Sequence, residues 1–224
     1  MRLLAIDGAT EQASVALWVD GAVMYRERSA PGGHGDWLLA TVHELLAQAE
    51  CPLTALDALA FGRGPGSFTG LRVVAAMVQG LAFGADLGVI PVSDLAMLAQ
   101  AEAERGDGAI VAALDARMGE VYWSAFQAEQ GAIRALTGES VSPPEAVRVP
   151  AGVHGWRGTG NAWLAYPGRL PDGVRQPDAA TLPSARSLMV LGLAKLQAGQ
   201  VSPPEAALPV YVRDQVVRSS QKTG

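Results

Sequence analysis

The sequence predicts an α/β fold built from two similar halves, and two observations lead to it. Short apolar runs of strand length alternate with longer apolar segments of helix length, a pattern typical of sheets flanked by helices. A strand that ends in aspartate and is followed by two more strands occurs twice, first at Asp7 and again 108 residues later at Asp115. With 224 residues, 49% of them hydrophobic, the chain can form one domain or two small ones.

The first half begins with three strands, after which helices alternate with strands. Asp20-Gly21 predicts a tight hairpin turn between the second and third strands. Asp36 is the expected N-cap of the first helix, and Ser93 is the expected N-cap of the third helix, which runs to about residue 104. The predicted strands are 3–6, 13–19, 22–28, 56–61 and 89–92, and the first two predicted helices are 36–50 and 68–84.

The second half starts after the glycine-containing turn at 105–108 and repeats the order of elements. Its predicted strands are 109–114, 119–127, 132–136 and 152–156, and its predicted helix is 184–197. A tail containing several prolines ends the folded part near Arg213, and the terminus beyond about Arg218 is expected to fray. We therefore expect two domains, residues 1–104 and residues 105–224.

Charge and composition exclude several classes of protein. The net charge of −5 argues against a chain that binds nucleic acid through its own electrostatics. The single cysteine, Cys51, excludes an internal disulfide and suits a reducing compartment. The chain starts directly with a strand, and no apolar run is expected to reach the length of a membrane span. These features predict a cytoplasmic protein that is not inserted in a membrane.

The most distinctive local pattern is the glycine-rich segment 62–72, which lies between a predicted buried strand and a predicted helix. It lacks the lysine of a Walker A loop, and Gly70 comes one residue too late for a dinucleotide-binding fingerprint. One interpretation is a phosphate or nucleotide contact at the start of the helix, with Gly64, Gly66 and Ser67 as candidate residues. The other interpretation is a tight structural turn. The residues alone leave both open.

The helices predicted at 36–50 and 68–84 carry more apolar surface than one buried face requires. Burial on all sides within the same chain would explain the excess, and so would contact with another subunit, which we favour. The predicted interface residues are Trp37, Leu39, Val42, Leu46, Val73, Val74, Met77 and Leu81.

No catalytic constellation emerges from the sequence. The three histidines lack the spacing of metal ligands, and no Gly-x-Ser-x-Gly motif is present, so we expect neither a bound metal nor catalytic residues. Asp7, at the end of the first strand, either contacts a nucleotide, phosphate or magnesium or simply caps the turn at Gly8. Asp115, Arg117 and Glu120 place two carboxylates and an arginine in one turn between strands; they are either a candidate reactive group, or Asp115 and Arg117 simply pair with each other.

Two long segments, 60–72 and 114–122, together with shorter ones, form a specific pattern. The shorter ones are Leu4-Ala5-Ile6-Asp7, Gly33-His34-Gly35, Pro91-Val92-Ser93 and Pro209-Val210-Tyr211-Val212-Arg213. In this order they resemble the bacterial TsaB (YeaZ) family of tRNA threonylcarbamoyladenosine synthesis. The resemblance covers the first 125 residues closely and the rest loosely, with little of it in 137–183.

The resemblance implies an actin-like ATPase (ASKHA) fold, in which two ribonuclease-H-like halves have mixed sheets flanked by helices. It also implies a non-catalytic subunit that pairs with TsaD, the paralogue that holds the metal and transfers the threonylcarbamoyl group to adenosine beside the anticodon. The other implied partners are the ATPase TsaE and a second copy of the chain, with tRNA reached only through the complex. ATP or ADP at the subunit interface is the one cofactor left open. The helices 36–50 and 68–84 are the implied dimer surface.

Two positions depart from the family pattern. Gly8 follows Asp7 where the family has threonine, and Gly35 stands where it has serine, so two hydroxyl groups are lost from turns that could contact a phosphate. The competing hypothesis is a small nucleotide-binding ATPase that acts on its own through Asp7 and the loop at 62–70. A peptidase would need a metal motif or a nucleophile, and the sequence contains neither.

Overall fold

The computed structural model describes residues 1–30 and 34–213, which form two five-stranded sheets and five helices. The first sheet contains β1 (Arg2–Asp7), β2 (Gln12–Val19), β3 (Ala22–Ser29), β4 (Ala58–Gly62) and β5 (Gly88–Val92). The second contains β6 (Gly108–Asp115), β7 (Val121–Glu129), β8 (Ala132–Ala135), β9 (Ser140–Ser142) and β10 (Arg157–Thr159). The helices are α1 (His34–Gln48), α2 (Phe68–Ala85), α3 (Asp94–Ala103), α4 (Ala162–Ala165) and α5 (Ala185–Gln197).

Both sheets are mixed, and they begin in the same way. The first has the order β3-β2-β1-β4-β5, with β1 antiparallel to β2 and parallel to β4. The second has the path β10-β6-β7-β8, with β9 also paired to β7, and β6 is antiparallel to β7 and parallel to β10. The predicted α/β class with two mixed sheets and flanking helices is confirmed, and this is the ASKHA-type architecture.

The helices lie in two layers around the first sheet. On one face, α1 and α2 bury residues such as Leu38 and Val78 against strands β1, β2 and β4. On the other face, α5 packs Leu188 against the same sheet, while α3 packs Leu98 onto the second sheet. The helix α5 therefore joins the first sheet although it comes from the second half of the sequence. The division into residues 1–104 and 105–224 stays a prediction.

Three local expectations are wrong. The strand expected at 152–156 is a turn with positive φ at Gly152 and Gly155, and the strand is β10, which follows it. Helix α1 begins at His34, so Asp36 lies in its first turn and is not its N-cap. Strand β7 starts at Val121, two residues later than expected, because Arg117 and Met118 both adopt positive φ in the turn that joins β6 to β7. In contrast, Ser93 caps α3 as predicted, since its Oγ accepts a hydrogen bond from the Ala96 N–H at 3.3 Å.

Helix α2 is long and apolar enough, by length and composition, to cross a membrane, which contradicts the expectation that no apolar run reaches that length. Its mean hydropathy is 1.4, and only 28% of its 18 residues are buried within the chain. Core helices of soluble proteins can be equally long and apolar. The low buried share shows that much of the apolar surface of α2 is left uncovered.

The last described segment runs from the edge of the first sheet to the second sheet. Ser202 pairs with Val89, and the Val210 N–H donates a hydrogen bond of 2.7 Å to the carbonyl of Arg63. Arg213 then donates to the carboxylate of Glu120 in the hairpin of the second sheet. We call residues 202–213 the C-terminal strap. The fraying expected beyond Arg218, like the conformation of Gly33, lies outside the described residues.

Candidate functional site

The outward side of α1 and α2 is the apolar surface that the sequence predicted to be an interface. Of the eight predicted interface residues, Val42 and Val74 are only 1% exposed and belong to the core of the chain itself. Leu39 is 41% exposed. The remaining five are half-buried: Trp37, Leu46, Val73, Met77 and Leu81. Six of the eight therefore present apolar atoms on the outward side, which we call the outer face.

Sequence reasoning missed other members of the outer face on α2. Phe83 is 55% exposed, and Ala76, Gly80 and Gly84 are exposed at intervals of four residues, which places them on one side of the helix. A Cβ atom added at Gly80 or Gly84 would meet nothing within 4 Å. Since glycine in a helix interior costs about 0.5–1 kcal/mol relative to alanine, these glycines weaken the isolated helix. Their spacing was a readable signal in the sequence.

A shallow hollow of about 440 Å³ continues the outer face where α1 ends beside α2. Its wall is formed by apolar side chains that include Leu46, Leu53 and Leu81, with His43 and Glu50 at its border. A partner that covers the outer face could fill this hollow with an apolar side chain.

The glycine-rich loop, residues 62–70, packs directly against the turn between β1 and β2. A Cβ atom at Gly66 would collide with the carbonyl of Ala9, and one at Gly70 would collide with the carbonyl of Gly8. The Ser67 N–H donates a 2.6 Å hydrogen bond to the Ala9 carbonyl, and its Oγ accepts from the Gly70 N–H at 3.4 Å. Close backbone packing is thus sufficient reason for glycine at both positions. Helix α2 is held against the first sheet by these contacts.

Beneath this loop, two carboxyl groups meet in the interior. Asp7 and Asp94 are both fully buried, and Asp7 Oδ2 and Asp94 Oδ1 have no hydrogen-bond partner outside the pair. Asp94 Oδ2 accepts a 2.6 Å hydrogen bond from the Gly64 N–H, and Asp7 Oδ1 accepts from the Ala9 N–H at 3.3 Å. Burial, followed by the neighbouring charge of Asp7, raises the pKa of Asp94 well above its usual value, and burial also raises the pKa of Asp7. Burial of the two facing carboxyl groups therefore favours the protonated form of the pair in the folded chain.

A cleft of about 720 Å³ lies between the first sheet and the hairpin of the second. Thr10, His34 and Ser67 line one wall and Asp115 and Arg117 the other. The Asp115 carboxylate is already occupied, since Oδ2 pairs with Arg117 at 3.1 Å, which was one of the two interpretations of the sequence, and Oδ1 accepts from the Tyr166 hydroxyl at 2.8 Å.

The four candidate phosphate contacts do not converge on this cleft. Gly66 and Ser67 line it, whereas Asp7 is fully buried and Gly64 is covered by the carbonyl of Val210. Within residues 1–30 and 34–213, no group of three or more His, Cys, Asp or Glu side chains could hold a metal ion.

The N-terminal end of α2 carries an exposed cluster of two aromatic rings and an arginine. The Arg72 guanidinium lies 3.8 Å from the ring centroid of Phe68 and 5.9 Å from that of Tyr211 in the strap. Arg72 Nε also donates a 2.9 Å hydrogen bond to the Tyr211 hydroxyl. These contacts fix the guanidinium in one position on the protein surface.

Several known proteins are similar to this chain in sequence. The sequence profile described as "TsaD: tRNA N6-adenosine threonylcarbamoyltransferase" matches residues 28–158. A protein of Escherichia coli strain K12 named "tRNA threonylcarbamoyladenosine biosynthesis protein TsaB" is 41% identical, with 96% of each chain covered. A Haemophilus influenzae protein of the same name is 40% identical, over 96% of this chain and 95% of its own.

Two solved structures from Pseudomonas aeruginosa share the fold. One is called YeaZ, and it superposes on this chain with a TM-score of 0.88 and 45% sequence identity. The superposition covers 94% of this chain and 99% of the YeaZ chain. The other is described as an uncharacterized protein similar to the peptidase YEAZ, with the same TM-score and identity, over 95% of this chain and 99% of its own.

Proposed function

This chain belongs to the TsaB family, whose members are named for tRNA threonylcarbamoyladenosine biosynthesis, and from this membership we propose that it is the non-catalytic partner of a TsaD-like threonylcarbamoyltransferase. It stabilises and activates that enzyme in the cytoplasm for modification of the adenosine beside the tRNA anticodon. A TsaE-like ATPase joins the pair, and tRNA is reached only through the complex. In the absence of the enzyme, two copies of the chain associate through the same surface.

The outer face of α1 and α2 carries this proposal. It combines exposed apolar side chains, such as Leu39 and Phe83, with small residues that permit close approach of another helix. Exposed glycines that weaken the isolated helix are explained if a partner backbone packs against them. A TsaD-like chain suits this surface because the TsaD profile matches 28–158, which includes both helices, so an approximate two-fold arrangement would place similar helices opposite each other.

The positions of the carboxyl groups support a role without catalysis. Asp7 is fully buried and bonded to backbone N–H groups, so in this conformation it contacts neither the cleft nor a ligand there. Asp115, the carboxylate at the cleft wall, is paired with Arg117 and Tyr166. A general base or a metal ligand needs a free acceptor at the reacting group. The outer face, in contrast, requires no chemistry of its own.

The test is reconstitution of tRNA modification from purified TsaD-like and TsaE-like proteins of the same organism, with and without this chain. Leu39→Glu places a charge on the outer face and should abolish the stimulation by the chain. Val190→Glu is the matched control, because Val190 is 44% exposed on α5, away from the outer face, and should leave the stimulation intact.

Both variants change an exposed leucine or valine, so both should fold, and circular dichroism and thermal unfolding check this. The proposal fails if the enzyme is equally active without the chain. It also fails if the Leu39→Glu variant stimulates as well as the wild type. ATP hydrolysis by the isolated chain that is lost in Asp7→Ala would favour the competing ATPase hypothesis.

A further inference from the structure

The exposed guanidinium of Arg72 on α2 has no acidic partner among the residues that the structure describes. Within the part of the chain that the structure describes, Arg72 forms no salt bridge, and its two terminal nitrogens make no hydrogen bond. The Nε of Arg72 donates a hydrogen bond to the Tyr211 hydroxyl, and the planar guanidinium stacks over the ring of Phe68. A guanidinium immobilised in this way has already lost its rotational freedom and presents two parallel N–H donors, the geometry that a carboxylate accepts.

An acidic residue, Asp86, lies at the other end of the same helix. Asp86 is the C-cap of α2, is exposed, and forms no salt bridge or side-chain hydrogen bond among the described residues. From a rise of about 1.5 Å and a rotation of about 100° per residue, Arg72 and Asp86 are about 21 Å apart along the helix and about 40° apart around it. They therefore lie at opposite ends of one flank and cannot reach each other within one chain.

We propose that Arg72 of one chain binds Asp86 of a second copy of the same chain, across an antiparallel contact between their α2 helices. This inference rests on the proposed use of the outer face for self-association. The arrangement has a two-fold axis beside Gly80, which lies near the midpoint between the two charged residues. A two-fold axis perpendicular to the helices makes them antiparallel and brings residue 72 level with residue 86 of the other copy.

Both the small residues and the charged residues of α2 favour the antiparallel arrangement. Ala76 and Gly80 lie at the centre of the contact, where the helix axes must come closest, and open space surrounds Gly80. The two-fold axis also keeps each flank of one helix beside the same flank of its partner, so Arg72 and Asp86 meet. A two-fold axis parallel to the helices would instead place Arg72 level with the partner's Arg72, and Asp86 level with the partner's Asp86, on opposite flanks, so no opposite charges would pair. Symmetry provides two Arg72–Asp86 pairs per dimer.

The experiment measures self-association by sedimentation equilibrium for the wild type, Arg72→Glu, Asp86→Arg and the double variant with both changes. Each single change replaces two attractive pairs with two repulsive ones and should raise the Kd about tenfold or more at low ionic strength. The double variant restores opposite charges with reversed sign and should recover most of the loss. The differences should shrink as salt is added, because the pairs lie at the border of the interface.

The double variant decides the question, because it also lacks the Arg72–Tyr211 hydrogen bond and yet should dimerise. The pairing is overturned if the double variant dissociates as readily as the single variants, if the single variants dimerise like the wild type, or if the wild type stays monomeric at about 1 mM. Gly80→Leu separates this inference from the proposed function. If Gly80→Leu abolishes dimerisation while Arg72→Glu does not, the outer face is the interface and only the pairing is wrong.

Discussion

Replacing Gly80 with leucine should strengthen helix α2 and at the same time prevent its association. Gly80 is exposed in the interior of an 18-residue helix, and a Cβ atom there would touch nothing within 4 Å. Leucine is close to alanine in helix propensity, so the substitution should stabilise the isolated chain by about 0.5–1 kcal/mol. For a chain of 224 residues this corresponds to a rise in Tm of about 1–4 °C.

The same side chain should block the proposed contact. Axes of packed helices are about 8–10 Å apart, and small residues at the crossing point permit the shorter distances. Four additional carbon atoms at the centre of the outer face would force the helices apart and remove the apolar contacts on both sides of the crossing point. We therefore expect the Gly80→Leu chain to be monomeric at concentrations where the wild type is associated.

The assay combines sedimentation velocity with thermal unfolding in dilute solution, where association does not contribute to Tm. Ala194→Leu is the matched control, since Ala194 is an exposed small residue on α5, away from the outer face. This control should leave association unchanged. The reasoning is refuted if Gly80→Leu associates like the wild type, because the centre of the outer face would then be free of contacts. A lower Tm of the monomer would also refute it, because Gly80 would then have an internal packing role.

Three further outcomes follow from contacts inside the chain. The pKa of each carboxyl group in the buried Asp7–Asp94 pair is raised above the unfolded value of 3.8, so stability falls as the pH rises from that value through the folded pKa, by at most about 1.4 kcal/mol per pH unit for each group. Asp94→Asn keeps an acceptor for the Gly64 N–H and adds a donor to Asp7, so it should flatten this part of a stability–pH profile measured by urea unfolding; an unchanged slope would show that the fold does not favour protonation of the pair. Gly70→Ala should destabilise the chain by more than about 1 kcal/mol in the same assay because its methyl group meets the β1–β2 turn, and a neutral effect would contradict the packing explanation of the glycine loop. Arg63→Ala should cost about 1–3 kcal/mol, because the Arg63–Glu139 ion pair has N–O distances of 2.9 and 3.1 Å, its side chains are 25% and 17% exposed, and it joins the loop of the first half to the second half. A double-mutant cycle with Glu139→Gln that yields no coupling would show that the pair contributes nothing to stability.

Local sequence patterns were sufficient for most elements of the fold. Apolar periodicity, the Asp20-Gly21 turn and the Ser93 cap each depend on neighbouring residues, so the strands of the first sheet and helix α3 could be predicted closely. The strand at 152–156 was misplaced because these residues form a turn that buries Trp156. Only the packing of the second sheet reveals this role of the apolar residues.

The outer face could be predicted in part for a related reason. Apolar residues surround most of α1 and α2, and the sequence does not tell which stripe faces the chain's own sheet. Val42 and Val74 were therefore assigned to the interface although they lie in the core, while Phe83 was left out although it is exposed. The meeting of Asp7 with Asp94 depends on the parallel pairing of β1, β4 and β5, a long-range contact that no local pattern encodes.

The measurement that tests the account most directly is the molar mass, by light scattering during size-exclusion chromatography, of this chain mixed with the TsaD-like protein of its own organism. We expect a 1:1 complex with the wild type and with Val190→Glu, and separate peaks with Leu39→Glu. Two separate peaks with the wild type, or an intact complex with Leu39→Glu, would contradict the proposal that the outer face of α1 and α2 binds the enzyme.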